Sequence, residues 1–192
     1  MNARTDAELL VAARETPAAF EHIVVRHHAA IHRYVARRLG AALAEDLVSD
    51  VFATAFAIRS RYDDTQASAR PWLFGIATNL IRRQSKKERA ALRRYTAERA
   101  DPVAPGATDA DRGFDPVLAG VLAGMRREHR DVLFLFAVAN LSLDEIALAM
   151  DAPLGTVKSW LHRARESAAR GLAAHGAPST PPVLPRPEGI EP

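Results

Sequence analysis

Ser142-Leu143-Asp144-Glu145-Ile146-Ala147-Leu148-Ala149-Met150, then Asp151-Ala152-Pro153, then Leu154-Gly155-Thr156-Val157-Lys158-Ser159-Trp160-Leu161-His162-Arg163-Ala164-Arg165, decides how this chain is read. Ser142 and Glu145 stand three apart, the spacing of a capping box that opens a helix. Leu143, Ile146, Ala147 and Met150 follow at i, i+3, i+4 and i+7, which makes one apolar stripe. Asp151 and Pro153 break that helix and suit the start of another, because proline is tolerated in a first turn. In the second helix Leu154, Val157, Leu161, Ala164 and Ala168 share a face. At about 100° per residue, Ser159, His162 and Arg163 point the opposite way, with Thr156 and Lys158 on the flanks. Two short helices, a tight turn, and a second helix with an apolar back and a basic, hydrogen-bonding front predict a helix-turn-helix. An ordinary helical hairpin with a solvated basic face is the competing reading of the same spacing.

Upstream, Thr5 and Glu8 spell another capping box, for a short helix through Arg14. Thr16-Pro17 predicts the start of a second helix carrying Phe20, Val24, His27, Ile31, Tyr34 and Leu39 at helical spacing, with Gly40 as its stop. A third helix is expected from about Ala42 to Arg59, with Leu43, Leu47, Val51, Ala55 and Ile58 inward and Glu45, Asp46 and Asp50 outward. After a polar loop from Arg61 to Arg70, Pro71 opens a fourth. There Leu73, Ile76, Ala77, Leu80 and Gln84 share one side, and Asn79, Arg82 and Arg83 another. No alternation persists long enough for a strand. The fold class expected is all-α, in two small helical modules joined by a flexible linker.

The stretch 97–113 turns to Ala, Asp, Pro and Gly without periodicity and reads as that linker. The second module follows with Leu118, Val121, Leu122, Met125, Val132, Leu133 and Phe136. The organisation expected is an N-terminal segment with a short helix at 1–19, a first module at 20–96, the linker, and a helix-turn-helix module at 114–175. Beyond it, 176–192 holds half of the chain's twelve prolines and reads as a disordered tail.

The 192 residues carry a formal charge of only +3, but the charges are segregated. Eight basic residues lie between Arg82 and Arg99, whereas Asp101, Asp109, Asp111 and Asp115 dominate the next stretch. Such a basic cluster suits a polyanionic partner more than the net charge implies. Without cysteine, disulfides, thiolate metal sites and cysteine nucleophiles are excluded. His28-Ala29-Ala30-Ile31-His32 places two histidines one turn apart but lacks the glutamate of the zincin helix, so no metal site is expected. There is no phosphate-cradling glycine loop and no nucleophile with a neighbouring base, which predicts neither cofactor nor catalysis. No signal peptide and no apolar run of the roughly 20 residues that span a bilayer is present, so a cytoplasmic location without membrane insertion is expected.

With both modules laid out, the sequence resembles the extracytoplasmic-function (group IV) sigma factors of bacterial RNA polymerase. The likeness rests on Ala44-Glu45-Asp46-Leu47-Val48-Ser49-Asp50-Val51-Phe52 and Pro71-Trp72-Leu73-Phe74-Gly75-Ile76-Ala77-Thr78-Asn79-Leu80, similar to the family's region 2. Arg130-Asp131-Val132-Leu133, Leu141-Ser142-Leu143-Asp144-Glu145-Ile146-Ala147 and Gly155-Thr156-Val157-Lys158-Ser159, with Arg163-Ala164-Arg165, are similar to region 4. Ser49 departs from the glutamine common there, and Trp160 from the arginine.

The resemblance implies a dissociable subunit that directs promoter-specific initiation. Its partners would be core polymerase, through the clamp region of the largest subunit, promoter DNA, and an anti-sigma protein. Region 4 would read the −35 duplex through Thr156, Lys158, Ser159, His162 and Arg163. Region 2 would open the −10 element through Tyr62, Asn79, Arg82, Arg83 and Lys86. Base capture would fall to the loop 62–69, with Trp72 read as core. The polymerase contact would be acidic, at Asp46 and Asp50, with Val48 and Phe52 adding apolar area. No autoinhibitory extension and no domain between the modules is expected. Two other functions compete: an autonomous helix-turn-helix regulator, and a histidine/carboxylate hydrolase.

Overall fold

Among the described residues every regular element is helical: α1 (Asp6–Glu15), α2 (Glu21–Leu39), α3 (Ala44–Ala57), α4 (Arg70–Glu98), α5 (Pro116–Gly124), α6 (Arg127–Ala137), α7 (Leu143–Met150) and α8 (Leu154–Ala174). The structure is a computed structural model that describes residues 4–98 and 115–174, with side chains described only to 85 in the first stretch. The chain divides into two compact units, Met1–Gly113 and Phe114–Pro192. Helix α4 runs two residues into the stretch read as linker; the rest of that linker and the proline-rich tail lie outside the described residues.

The N-terminal unit is built on local signals that the chain spells out. Thr5 caps α1 reciprocally with Glu8: the Glu8 N–H donates to Thr5 Oγ1 at 3.2 Å, and the Thr5 N–H to Glu8 Oε2 at 2.7 Å. Gly40 ends α2 at φ 89°, a backbone region closed to residues with a Cβ, and donates its N–H to the Ala36 carbonyl at 2.8 Å. Pro17, however, does not open α2. It starts a 3₁₀ turn, Pro17–Phe20, and α2 begins at Glu21.

Helix α3 packs against both α2 and α4, so its buried surface is wider than a single stripe. Ala44, Leu47, Val48, Val51, Phe52 and Ala55 are all buried, while Leu43, expected inward, is 37% exposed. The early part of α4 is likewise enclosed, with Leu73, Phe74, Ala77, Thr78 and Ile81 inside. Tyr34 crosses from α2 to α4. Its ring meets Phe74 edge-on at 5.2 Å, and its hydroxyl pairs with Thr78 Oγ1 at 2.8 Å, while that hydroxyl donates to the Phe74 carbonyl at 2.7 Å. A buried phenol without such a partner would be costly.

Asp6 is 3% exposed, an unusual site for a carboxylate. Its oxygens accept from His27 Nε2 at 2.8 Å, from the Ala69 N–H at 2.8 Å and from Arg26 Nη1. Burial alone would raise the Asp6 pKa, but these donors and the neighbouring charge outweigh it and hold the group at about 2. His27 thus belongs to the buried face as expected, through a hydrogen bond rather than as an apolar filler.

In the C-terminal unit Val132, Leu135, Ile146, Val157, Leu161 and Ala164 form the core. Helix α8 packs on α5, α6 and α7. Its contact with α5 is close enough to require glycine: a Cβ on Gly171 would sit 2.5 Å from Val121 Cγ2 and 2.8 Å from Val121 Cγ1. A Cβ on Gly120, also on α5, would meet nothing within 4 Å.

Two stability predictions follow from these contacts. The Asp6 pKa, about 2 in the fold, lies below its ordinary value of 3.8. Its stabilisation is therefore fully present above pH 4 and disappears as pH falls through 2. Asp6→Asn should cost the N-terminal unit about 2 kcal/mol at pH 7 and progressively less in acid, read from urea melts across that range. Gly171→Leu should destabilise the C-terminal unit by about 1–3 kcal/mol through overpacking, whereas Gly120→Ala should be neutral or stabilising by up to about 1 kcal/mol. Thermal melts of both variants check the pair; equal melting temperatures would contradict the close contact.

Candidate nucleic-acid and polymerase interfaces

The helix-turn-helix forms where the sequence placed it. Ser142 caps α7 with both halves of the box present: the Glu145 N–H donates to Ser142 Oγ at 3.2 Å, and the Ser142 N–H to Glu145 Oε2 at 2.8 Å. Asp151 closes α7 in the left-handed region at φ 49°, and the Ala152 N–H donates to the Ala147 carbonyl at 3.0 Å. Pro153 stands just before α8, one place earlier than a first-turn proline. Its carbonyl accepts from the Thr156 and Val157 N–H groups at 2.9 and 3.1 Å.

Val157, Leu161 and Ala164 are buried, and that fixes the rotation of α8 about its axis. Lys158, Ser159, His162 and Arg163 are consequently exposed, and Thr156 and Trp160 are half-buried. Burial, then the charges of Arg126 and Arg163, push the buried His129 of α6 below its ordinary pKa. His162 Nε2 lies 3.4 Å from Glu166 Oε1 one turn on, and Arg165, outside the expected set, stacks on the Phe136 ring of α6 at 4.9 Å. The exposed row thus consists of donors that can meet guanine O6 and N7 or phosphate oxygens.

On α3 the outward face carries Asp46, Ser49 and Asp50, all exposed, with Glu45 beside them, its Oε1 3.2 Å from His32 Nε2. Val48 and Phe52, expected to add apolar area to this contact, are only 1% and 7% exposed. They are core residues, because α3 is packed on two sides and the stripe broadens to include them. The surface left to a partner here is acidic and polar.

On α4, Asn79 and Arg83 are exposed one turn apart and Arg82 is half-buried, its Nη1 donating to Asn79 Oδ1 at 3.4 Å. Lys86 lies further along the same helix, its side chain outside the described residues. The aromatic residues exchange the places expected of them. Tyr62 is 5% exposed, with its hydroxyl donated to the Gln66 carbonyl, so its ring is not a free stacking platform. Burial, then the charges of Asp6, Asp63 and Asp64, push its phenol up to about 12. Trp72, expected in the core, is the half-buried one, meeting Tyr62 edge-on at 5.2 Å.

The loop between them is shaped by its own side chains. Asp63 Oδ1 accepts from the Thr65 N–H at 3.1 Å and the Thr65 hydroxyl at 2.7 Å, and the Gln66 N–H donates to the Asp63 carbonyl at 3.1 Å. This leaves positions 63–65 and 67 exposed. The buried Asp6 tie to Ala69 carried no sequence signal. Its partners are 21 and 63 positions away along the chain, and no periodicity links them.

Comparison with known proteins bears on both modules. The Sigma-70 region 2 family matches residues 23–91, and the Sigma-70, region 4 family matches 118–167. SigL of Mycobacterium tuberculosis, an ECF RNA polymerase sigma factor, is 34% identical over 142 residues, spanning 72% of this chain and 80% of its own. SigW of Bacillus subtilis is 28% identical over 167 residues, covering 80% of this chain and 89% of its own. Two solved structures share the fold. CnrH, in complex with the cytosolic domain of CnrY, gives a TM-score of 0.65 at 24% identity over 88% of this chain and 97% of that one. RpoE of Bartonella quintana, in complex with the anti-sigma factor NepR, gives 0.58 at 21% over 80% and 96%. With both regions matched in order on two helical modules, and a relative of this identity covered over most of its length, the chain belongs to the ECF sigma factors of RNA polymerase.

Proposed function

We propose that this sigma factor reads the −35 duplex with the exposed row of α8, opens the −10 element with α4 and the 62–69 loop, and docks on the polymerase clamp through the acidic face of α3. One observation carries the reading most. The burial of Val157, Leu161 and Ala164 leaves Lys158, Ser159, His162 and Arg163 as a polar front sized for a major groove of about 12 Å. On the −10 side, Asn79 and Arg83 supply a base-edge amide and a phosphate partner, and the loop supplies its exposed positions 63–65 and 67 for an extruded base. Tyr62 is left out of that set because it is buried, as are Val48 and Phe52 from the polymerase contact. Lys86 stays in it on the strength of its place on α4.

The chain has no chemistry of its own in this account; the polymerase makes the RNA. It works in the cytoplasm, with core polymerase and promoter DNA as its partners. No described helix is long and apolar enough to cross a membrane. An anti-sigma protein is the third partner class, a reading supported by the complex of the similar RpoE with NepR.

Each contact makes its own prediction. Asp46→Arg with Asp50→Arg should abolish binding to core polymerase, measured by co-elution. Both side chains are exposed, so stability should change by only about 0.5 kcal/mol per site. A double variant that melts normally and still binds core would reduce this surface to a solvated face. Lys158→Ala and Arg163→Ala should each weaken holoenzyme binding to −35 duplex by about 1–3 kcal/mol. A change at a base contact should also relax sequence preference, whereas one at a phosphate contact should only flatten the salt dependence. Unaltered affinity in both variants would move the DNA contact off α8.

A further inference from the structure

We propose that α1 is a splint for the 62–69 loop, with Asp6 and Arg14 as positioning residues that hold the loop in the shape that receives an unpaired promoter base. The proposal rests on the reading of that loop as the base-capture element. Helix α1 lies wholly before residue 23, where the region 2 match begins, so the match assigns it no part in the function.

The contacts grip the loop at both ends. At its start, Arg14 Nη2 donates to the Tyr62 carbonyl at 3.3 Å and lies 3.6 Å from Asp64 Oδ2. At its end, Asp6 Oδ2 accepts the Ala69 N–H at 2.8 Å, while His27 Nε2 and Arg26 Nη1 hold the same carboxylate from α2. A third tie fastens α1 to the turn that leads into the loop. Arg59 Nε donates to the Ala13 carbonyl at 2.8 Å, and its guanidinium stacks on Phe56 at 4.0 Å. Between the grips the loop sets its own turn through Asp63, Thr65 and the Tyr62 hydroxyl. Every tie from α1 to the loop ends on a main-chain group or on Asp64, so α1 fixes the backbone while positions 63–65 and 67 stay open.

Two physical consequences favour this role. A loop ordered before DNA arrives does not lose that conformational freedom on binding, which is how preorganisation raises affinity. The loop also displays Asp63 and Asp64 where a polyanion must approach, and the Arg14 guanidinium offsets the second of them.

The test uses the full chain bound to core polymerase and a single-stranded −10 oligonucleotide from a promoter it transcribes in vitro. Affinity is measured for the native oligonucleotide and for one substituted at the captured base. Arg14→Met and Asp6→Asn are expected to weaken binding of the native strand about tenfold and to drive the native-to-substituted ratio toward one. Binding to core polymerase and to −35 duplex should stay within about twofold, since neither surface involves α1. Arg14 has a part-exposed side chain, so its variant keeps the test open if Asp6→Asn unfolds the unit. Thr65→Ala with Gln66→Ala tests the underlying reading. If that loop variant lowers the ratio and both α1 variants leave it at the wild-type value, the splint is refuted while base capture stands. If the loop variant leaves the ratio untouched as well, base capture by this loop fails and the splint falls with it.

Discussion

A helix has one rotation about its axis, and burying its apolar side chains sets it. That constraint decides what this protein can show to DNA and to polymerase. In α8 the enclosure of Val157, Leu161 and Ala164 turns Lys158, Ser159, His162 and Arg163 to solvent as a consequence, not as a separate design. In α3 the enclosure of Ala44, Val48, Val51 and Ala55 does the same for Asp46, Ser49 and Asp50. Core and interface are two readings of one periodicity. Val48 and Phe52, expected to add apolar area to the outward face of α3, lie on its buried side because α3 is packed on two sides.

The N-terminal unit adds polar ties that the helical repeat does not supply. Tyr34 to Thr78 joins α2 to α4, and Asp6 joins α1 to α2 and to the residue before α4. Such buried polar groups contribute little net stability when satisfied and cost a great deal when one partner is removed, so they specify geometry more than they add stability. Around the 62–69 loop they add to packing: Tyr62 and Ala69 are buried, while the exposed Asp63, Asp64 and Thr65 between them are shaped by directional bonds.

Most of the architecture was legible because it is written in short-range chemistry. The capping boxes at Thr5–Glu8 and Ser142–Glu145, the stop at Gly40 and the α8 stripe all rest on residues within one or two turns of each other, and each appears in the structure. Burial beyond a single stripe was less legible. In α3, packed on two sides, Val48 and Phe52 are buried outside the expected stripe, and Leu43, expected inward, sits exposed in the 3₁₀ turn before the helix. Tyr62 is buried and Trp72 half-buried, and neither belonged to an expected stripe. The Asp6 cluster was illegible altogether, because its partners are brought together by the fold from positions 26, 27 and 69.

The central proposal is that the chain directs promoter-specific initiation when docked on core polymerase through the acidic face of α3. Run-off transcription tests it directly, with sigma-free core polymerase, genomic DNA fragments, and the chain added or withheld. The account predicts discrete start sites that appear only when the chain is present and vanish when Asp46 and Asp50 are both replaced by arginine. Transcripts that do not change on adding the chain, while the chain alone protects a specific duplex site, would contradict it and favour an autonomous helix-turn-helix regulator.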